Sequence, residues 1–415
     1  MKSKGNYVDR RTFLKRFGLA TAGLAVSTTI IKSAYRKKPM LQPGDINVVI
    51  LEGTPLKRGR IHGEILKPKI HEAVKLWKDN LHKTLDYNPD KYIDDFVENT
   101  NFIKAIKRWT PALLEEVKGI SEGCGLDFKT LYAFQLVDEE WWYRRNKQWG
   151  VGLSKNNKCS ALGIFGQEGI PSLLAQNVDI PKWTNGFQVL FHIKYQHFDL
   201  EIFVFSYAGL IALNGLNNKS VGVCVNALLQ LDQRQDGLPV AFVIRGILEQ
   251  RQFMEAVRFL KIVQHASGQN YMIGGREEIA SFECSANKVC RFIPYEGATR
   301  IYHTNHPLVN DEQNIYREVI KKMPTGKIKK LLYNSETRLE SLEKRLKDPA
   351  VRITVETIKA ALSSHDDPQN SVCYHLQEDR DGFTAGSTIF ELSDPPVLHL
   401  APGPPCATEY KIYRF

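Results

Sequence analysis

The sequence predicts an α+β fold in which strands and helices are segregated along the chain. Two blocks of β-like runs, 160–225 and 270–304, consist of short apolar segments separated by Asn- and Gly-rich turns. Helical patterns precede, separate and follow these blocks, without a regular alternation of strand and helix. This order favours sheets layered with helices over a parallel βαβ sheet. With 415 residues, 43% of them hydrophobic, the chain can bury a large core.

The part before the first block is predicted to be mostly helical. A short strand at 46–51 leads into helices that end near 85 and 108. The next helix begins at Pro111 and ends before Gly123 or Gly125, as expected for proline in a first turn and glycine after a last turn. A further helix covers 128–138. The aromatic residues 141–143 follow it and form either a buried cluster or one wall of a pocket.

The pattern changes to strands at Cys159. Two apolar runs, 160–165 and 172–176, flank a Gly-Gln-Glu-Gly turn and predict a hairpin. The stretch 326–347 is interpreted as a solvated helix face with Glu/Lys pairing. The other elements are predicted as strands at 187–195, 200–207, 221–225, 270–274, 279–284, 289–293, 299–304 and 383–400, and helices at 239–250, 253–265 and within 311–364.

The basic excess of the chain is concentrated in its first 38 residues. Ten of the 56 basic residues and one of the 46 acidic residues lie there, so the remaining chain carries +1 of the total net charge of +10. Because basic and acidic residues are nearly equal in number after residue 38, the charge does not favour a phosphate-binding surface, and we expect no nucleic-acid partner.

The N-terminal segment resembles a twin-arginine export signal. Arg10 and Arg11 precede Thr-Phe-Leu-Lys, an apolar run over 17–31 and a second basic cluster. We assign 1–34 to this signal, with cleavage at the small residues 25–27 as an alternative. The twin-arginine export machinery is an expected partner, and a periplasmic or secreted location is expected. An amphipathic basic helix or an uncleaved membrane anchor is the other interpretation.

Seven cysteines, an odd number, leave at least one thiol free in an exported protein. The chain has no Cys-x-x-Cys pair and no His/Cys group with zinc-ligand spacing, so we expect no metal. Cys284 and Cys290 flank a predicted turn, and they are either a disulfide or two separate strand cysteines. His303 and His306 are interpreted as structural histidines.

Cys159 lies between a predicted loop, 150–158, and the first strand of the predicted hairpin. If the hairpin forms, Asp179 returns beside the backbone of Cys159. A cysteine at a new N-terminus can give its thiol proton to its own α-amine, whose pKa is roughly 8, while a carboxylate orients that amine. From composition alone, a small core cysteine is the simpler interpretation.

Eight short motifs stand in order along the chain, at 59–64, 114–123, 159–161, 176–179, 222–226, 303–306, 371–373 and 403–406. In these motifs and their spacing the chain resembles the acyl-CoA:6-aminopenicillanic-acid acyltransferase family, also called the C45 peptidase family, among the N-terminal-nucleophile hydrolases. The resemblance runs over most of residues 45–415. It implies a four-layer αββα sandwich in which an N-terminal part, 35–158, and a C-terminal part, 159–415, remain together as light and heavy chains after self-cleavage.

The resemblance also implies roles for single residues. Cys159 would attack the Lys158 carbonyl in an N-to-S acyl shift and would then be the catalytic nucleophile. Asp179 matches the residue that binds the freed α-amine. Asn305 matches the residue whose side-chain amide helps to form the oxyanion hole.

Three positions depart from the family pattern. Lys158 stands where a small residue is expected before the nucleophile, which bears on the rate of self-cleavage. Tyr374 stands where many relatives carry arginine, and Val178 where an aromatic residue is common, so substrate preference is expected to differ. Asn226 and Tyr374 are candidate substrate-binding residues, with a turn role as the alternative for Asn226.

The sequence therefore predicts an exported, self-cleaving N-terminal-cysteine amidohydrolase that cuts a small-molecule linear amide through an acyl-enzyme thioester. The thiol and its amine supply nucleophile and base, so no cofactor is implied. Transfer of the acyl group to an amine is the alternative within the enzyme class. An inactive ligand-binding or envelope protein of the same fold is the second alternative, and the combination of Cys159, Asp179 and Asn305 argues against it.

Overall fold

The computed structural model describes residues 46–146, 159–167, 169–196, 198–321, 325–348, 350–378 and 380–415. The predicted export signal with Arg10 and Arg11, and the predicted cleavage loop up to Lys158, lie outside these ranges. Residues 46–415 form one compact unit. None of the helices in the described ranges combines the length and the apolar character needed to cross a membrane.

Within these ranges the chain forms eleven α-helices, one 3₁₀ turn at Lys182–Thr184 and fourteen strands, numbered in chain order. The helices are α1 (Pro55–Leu85), α2 (Pro89–Glu98), α3 (Phe102–Trp109), α4 (Pro111–Cys124), α5 (Phe128–Phe134), α6 (Val137–Asn146), α7 (Val240–Leu248), α8 (Phe253–Ile262), α9 (Asn314–Lys321), α10 (Thr325–Leu346) and α11 (Val355–Leu362). The strands are β1 (Asn47–Glu52), β2 (Ser160–Ile164), β3 (Leu173–Pro181), β4 (Gln188–Lys194), β5 (Glu201–Tyr207), β6 (Asn214–Asn217), β7 (Gly222–Ala227), β8 (Gln269–Gly274), β9 (Ile279–Cys284), β10 (Val289–Phe292), β11 (Arg300–His303), β12 (Gly382–Glu391), β13 (Val397–Ala401) and β14 (Lys411–Arg414).

The strands form two sheets. The larger has the order β1-β4-β5-β6-β7-β8-β9-β10, and the smaller has the order β11-β2-β3-β12-β13-β14. Neighbouring strands are antiparallel throughout, except for the parallel pair of β1 and β4. Antiparallel neighbours can be joined by short turns, which is why the strands occur in blocks along the sequence.

The two sheets stack face to face between two helical layers. Strands β2 and β3 of the smaller sheet contact β7 and β8 of the larger one. Helices α1, α7 and α8 pack on the larger sheet, and α10 and α11 pack on the smaller sheet. Because both faces of the central strands are covered, β2, β7 and β8 are buried at every position. The layer order confirms the predicted four-layer αββα fold of the N-terminal-nucleophile hydrolase type.

Helices α1 and α4 touch backbone to backbone through paired glycines. A Cβ atom at Gly59 would lie 1.9 Å from a carbonyl oxygen of α4, and one at Gly119 would lie 2.2 Å from a carbonyl oxygen of α1. Gly63 and Gly123 make the equivalent contact one turn further on. The first two motifs of the resemblance therefore serve helix packing in the outer layer.

Two predicted helices are each divided in the structure. The stretch 90–108 breaks near Asn101, whose backbone N–H donates at 2.7 Å to the carbonyl oxygen of Gln235 outside the helix. The stretch 128–138 breaks after Phe134, and α6 then continues through the aromatic residues, of which Trp142 is fully buried. The sequence pattern does not predict strands β6 and β14, which have four residues each.

Helix α10 corrects the prediction of a solvated helix over 326–347. Leu342 and Leu346 are buried in an apolar cluster with Leu162 and Ile164 of β2. Arg338 on the same helix is also fully buried. Although the sequence of α10 is highly charged, one face of this helix is buried and contacts β2.

Candidate active site

The hairpin predicted from the sequence forms between β2 and β3 and brings Cys159 into contact with Asp179. Ser160 pairs with Asn177, so the end of β3 continues past the residue that precedes β2. The backbone N–H of Asp179 donates to Cys159 Sγ at 3.4 Å, and the thiol reaches the Asp179 carbonyl oxygen at 3.6 Å. The thiol is therefore fixed at the end of β3.

The Asp179 carboxylate is buried and held by the next strand of the sheet. Thr384 of β12 pairs with Asp179 and donates its hydroxyl to Asp179 Oδ1 at 2.6 Å. Thr384 is held in turn by the backbone of Tyr374, with its N–H donating to the Tyr374 carbonyl at 2.8 Å and its hydroxyl accepting from the Tyr374 N–H at 2.9 Å. The position of this carboxylate thus depends on the segment before β12.

Two side chains hold the backbone carbonyl of Cys159. Asn226 of β7 donates through Nδ2 at 3.1 Å, and Arg338 of α10 donates through its guanidinium at 2.7 Å. The same guanidinium nitrogen reaches the Ser160 hydroxyl at 2.9 Å. Asn226 is itself oriented by Asn270, whose amide donates to Asn226 Oδ1 at 3.1 Å. Hydrogen bonds from the facing sheet and from the helical layer therefore hold the Cys159 carbonyl in place.

Arg338 also links Asn305 to the cysteine. Its other terminal nitrogen donates to Asn305 Oδ1 at 2.9 Å, and Asn305 Nδ2 donates to the Ala227 carbonyl oxygen at 3.0 Å. Because a guanidinium can only donate, the amide oxygen must face Arg338 and the amide nitrogen must face Ala227. An amide nitrogen carries two hydrogens, which leaves one beyond the bond to Ala227.

The thiol of Cys159 is uncharged at neutral pH in the uncut chain. Burial and the nearby charge of Asp179 raise the pKa of this thiol to about 12, against opposing effects of the Asp179 N–H and of Arg338. Burial lowers the pKa of Arg338 to about 10, while Asp179 and Cys159 oppose that shift, so the guanidinium stays protonated at pH 7. The site thus combines a buried cation, a carboxyl group and a neutral thiol.

A pocket adjoins Cys159 and Asp179. Most of the residues that line it are apolar, and this composition suits a small-molecule ligand. The apolar residues include Trp141, Val178, Tyr207, Leu213, Ala241 and Ile244.

One acidic side chain besides Asp179 lines the pocket. Asp138 at the start of α6 accepts a hydrogen bond from Gln269 Nε2 at 3.2 Å, and both residues line the wall. Burial raises the pKa of Asp138 to about 6, although the bond from Gln269 opposes this shift. This carboxyl group is therefore neutral in acid and charged above about pH 6, within a largely apolar wall.

Several other residues singled out from the sequence do not line the pocket. Asn226 and Tyr374 do not occur among the described residues of its wall. Tyr374 is buried, with the Arg380 guanidinium 4.4 Å above its ring. His303 and His306 have the structural partners expected of them: His303 Nε2 lies 2.9 Å from Glu283, and His306 Nδ1 lies 2.8 Å from the hydroxyl of Ser335. Lys158 lies outside the described residues.

The structure excludes the disulfide interpretation for Cys284 and Cys290. Cys284 pairs with Val289 across the β9–β10 hairpin, whereas Cys290 pairs with Glu283. Paired residues share a face and successive residues alternate, so the two sulfurs lie on opposite faces of the sheet. Both cysteines are free.

Sequence reasoning missed Arg338, Thr384 and Asp138. Arg338 and Thr384 are far from Cys159 along the chain. Asp138 lies in a stretch whose pattern predicts only a helix. Arg338 is one of many basic residues on a charged helix, and no local pattern in the sequence indicates that its side chain is buried.

Comparisons with known proteins give one family and several distant relatives. Residues 167–392 match the family model described as acyl-coenzyme A:6-aminopenicillanic acid acyl-transferase. Protein dcd1A of Dictyostelium discoideum is 29% identical over 128 residues, which span 26% of this chain and 29% of that protein. The 40 kDa form of acyl-coenzyme A:6-aminopenicillanic-acid-acyltransferase of Emericella nidulans is 26% identical over 273 residues, or 63% of this chain and 70% of that protein.

Among solved structures, a similar one is the Caenorhabditis elegans ortholog of N-acylethanolamine-hydrolyzing acid amidase. It is 14% identical with a TM-score of 0.40, and the match covers 56% of this chain and 93% of that one.

Proposed function

The chain belongs to the acyl-coenzyme A:6-aminopenicillanic acid acyl-transferase family, and from this premise we propose that it is an N-terminal-cysteine amidohydrolase that cuts linear amides. The observation that carries the proposal is the contact between the Cys159 thiol and Asp179 beside an apolar pocket. The family's chemistry, acyl transfer or amide hydrolysis, needs a nucleophile at such a pocket.

The first step is self-cleavage of the Lys158–Cys159 bond. The Cys159 sulfur attacks the Lys158 carbonyl carbon, the C–N bond breaks, and the nitrogen leaves with a proton as the α-amine of Cys159. Water then hydrolyses the resulting thioester to a Lys158 carboxylate and a free thiol. The hydrogen bonds that hold the Cys159 carbonyl support this step, because they fix the backbone that carries the attacking thiol.

Cleavage supplies the base that the uncut chain lacks. With a thiol pKa of about 12, the uncut cysteine carries almost no thiolate at neutral pH. A free α-amine on the same residue can take the thiol proton, and the buried Asp179 carboxylate is placed to stabilise the ammonium that forms. The ammonium then gives its proton to the leaving amine of the substrate, which leaves the acyl group on the sulfur.

Asn305 and Arg338 are proposed to serve the tetrahedral oxyanion. Arg338 fixes the orientation of the Asn305 amide by donating to its oxygen, so the amide nitrogen presents its remaining hydrogen as a donor. Such a donor is preorganised because both ends of the amide are held before the substrate arrives. We regard Arg338 as a positioning residue for Cys159 and Asn305.

The pocket favours substrates with an apolar acyl group. Its wall is apolar apart from a few polar side chains, and such a wall suits an apolar chain or ring. Hydrolysis is preferred over acyl transfer because an exported protein would meet little acyl-CoA. Export across the bacterial inner membrane is proposed from the Arg10-Arg11 segment alone.

Acyl transfer remains the second candidate function, since the family description names it. The two are separated by product analysis. Hydrolysis releases the free acid whether or not a primary amine is added, whereas transfer yields the acylated amine at the expense of the acid.

Activity is expected to depend on the length of the acyl chain of the substrate. For straight-chain N-acyl amides that share one chromogenic amine, kcat/KM is expected to rise by up to about fourfold per added methylene, since burying one contributes roughly 0.8 kcal/mol. The rise is expected to stop when the pocket is full. Steady-state rates over a series from acetyl to dodecanoyl measure it.

A variant that fills the pocket is the matched control. Ala241→Phe on the pocket wall is expected to move the end of the rise to a shorter chain while leaving rates for the shortest amide within a few-fold of the wild type. A series with no dependence on chain length, or with a preference for acetyl, would contradict an apolar acyl pocket.

A further inference from the structure

Four side chains from two loops converge at one place in the structure. His365 follows α11, Cys373 and His375 precede β12, and Cys406 lies between β13 and β14. Their ligand atoms, two imidazole nitrogens and two sulfurs, all lie within 4.8 Å of one another. We propose that these four residues bind one zinc ion in a closed Cys₂His₂ site. The sequence had led us to expect no metal.

Five of the six distances among the four atoms lie within about 0.3 Å of the range that tetrahedral zinc requires. The two sulfurs are 3.5 Å apart and the two Nε2 atoms 3.0 Å apart. The Cys406 sulfur lies 3.1 Å from His375 Nε2 and 3.9 Å from His365 Nε2, and the Cys373 sulfur lies 3.9 Å from His375 Nε2. Tetrahedral zinc, with bonds of about 2.3 Å to sulfur and 2.0–2.1 Å to nitrogen, requires separations of roughly 3.3–3.8 Å.

The donor set also suits zinc chemically. Two thiolates and two neutral imidazoles are a recurrent ligand combination for structural zinc, and two thiolates balance the charge of the dication. Both histidines direct Nε2 at the same point, with their rings stacked at a centroid distance of 5.1 Å. A hydrogen bond between the rings uses one Nε2 as donor and the other as acceptor, but it does not account for two thiols at the same place.

Four protein ligands leave no position for water, so this site would be structural rather than catalytic. It would join the connection between α11 and β12 to the connection between β13 and β14. The residue after Cys373 is Tyr374, whose backbone holds Thr384 against Asp179. Zinc would therefore stabilise the segment that supports the carboxylate of the candidate active site.

The rival to zinc is a disulfide between Cys373 and Cys406. Their sulfurs are near enough for one to form with a small movement, and an oxidising compartment would favour it. The two possibilities differ in the residues that they require, because a disulfide requires only the two cysteines and a zinc site also requires the two histidines.

The test is the metal content of the full-length protein purified from zinc-supplemented cells under mildly reducing conditions, without chelators. We expect about one zinc per chain by inductively coupled plasma mass spectrometry. Cys406→Ser and His375→Ala are expected to lose the zinc on dialysis, whereas Cys290→Ser, which changes a free cysteine outside the cluster, is expected to keep it. A chelator is expected to lower the Tm of the wild type and of Cys290→Ser but not that of Cys406→Ser.

Cobalt gives a second readout that does not depend on the folding of variants. Replacing zinc by Co²⁺ in the wild type is expected to produce the thiolate-to-cobalt absorption of a tetrahedral site. Zinc-free wild-type protein, equal zinc in all variants, or a wild-type mass lower by two hydrogens with two fewer titratable thiols would each overturn the proposal. The last result would identify the disulfide instead.

Discussion

Replacing Cys159 by alanine is expected to lower amidase activity by at least about 10⁴-fold, the range found when the nucleophile of a hydrolase is removed. The thiol lies against Asp179 at the pocket, and its removal takes away both the attacking atom and the site of the acyl-enzyme bond. The measurement is kcat/KM for the best amide of the acyl series, together with mass spectrometry of a trapped acyl-enzyme.

Cys290→Ala is the matched control for this substitution. Cys290 is a partly exposed free cysteine of β10 outside the pocket wall, so the variant tests whether loss of any thiol affects the rate. We expect wild-type kcat and a single acyl adduct on Cys159. Retention of amidase activity in Cys159→Ala would exclude this thiol as the nucleophile.

Replacing Asn305 by alanine is expected to lower kcat about 10²- to 10³-fold with a smaller change in KM, as for loss of one oxyanion donor. Arg338 and the Ala227 carbonyl fix this amide, so its remaining hydrogen is oriented without further cost in the transition state. Alanine removes that donor and leaves the Arg338 donor without the amide oxygen. Steady-state kinetics separate kcat from KM.

A second buried asparagine controls for the structural cost of the change. Asn217 of β6 is fully buried and donates to the carbonyl oxygens of Leu248 and Gln250, away from the pocket. Asn217→Ala is expected to lower the Tm while leaving kcat close to that of the wild type. Equal losses of kcat in the two variants would show that Asn305 acts through stability alone.

The pairing of Cys159 with Asp179 was predictable because both belong to one local unit. A strand, a Gly-containing turn and a second strand fix their relation within about twenty residues, and the structure has this hairpin. The layered α+β order was readable for a similar reason, since antiparallel strands and their helices occur in blocks.

The residues that complete the site were not predictable from such local patterns. Arg338 reaches Cys159 across 179 positions, and Thr384 reaches Asp179 across 205 positions. Their pairing depends on how α10 and β12 pack, which no periodicity in a single sequence encodes. Arg338 was also concealed by its surroundings, because a charged helix normally faces solvent.

The His/Cys cluster escaped prediction because its ligands do not follow a compact spacing. Cys373 and His375 are two positions apart, but Cys406 is 31 positions beyond His375. Only the meeting of two loops, one between α11 and β12 and one between β13 and β14, brings them together. Zinc spacings known from sequence describe hairpins and knuckles, where the ligands are close along the chain.

Self-cleavage before Cys159 is tested most directly by the intact mass and N-terminal sequence of the purified full-length protein, beside the Cys159→Ala variant. We expect two fragments from the wild type, one beginning Cys159-Ser160-Ala161-Leu162, and no cut at this bond in the variant. An active wild-type protein with the Lys158–Cys159 bond intact would contradict the mechanism, because Cys159 would then have no free α-amine to act as its base.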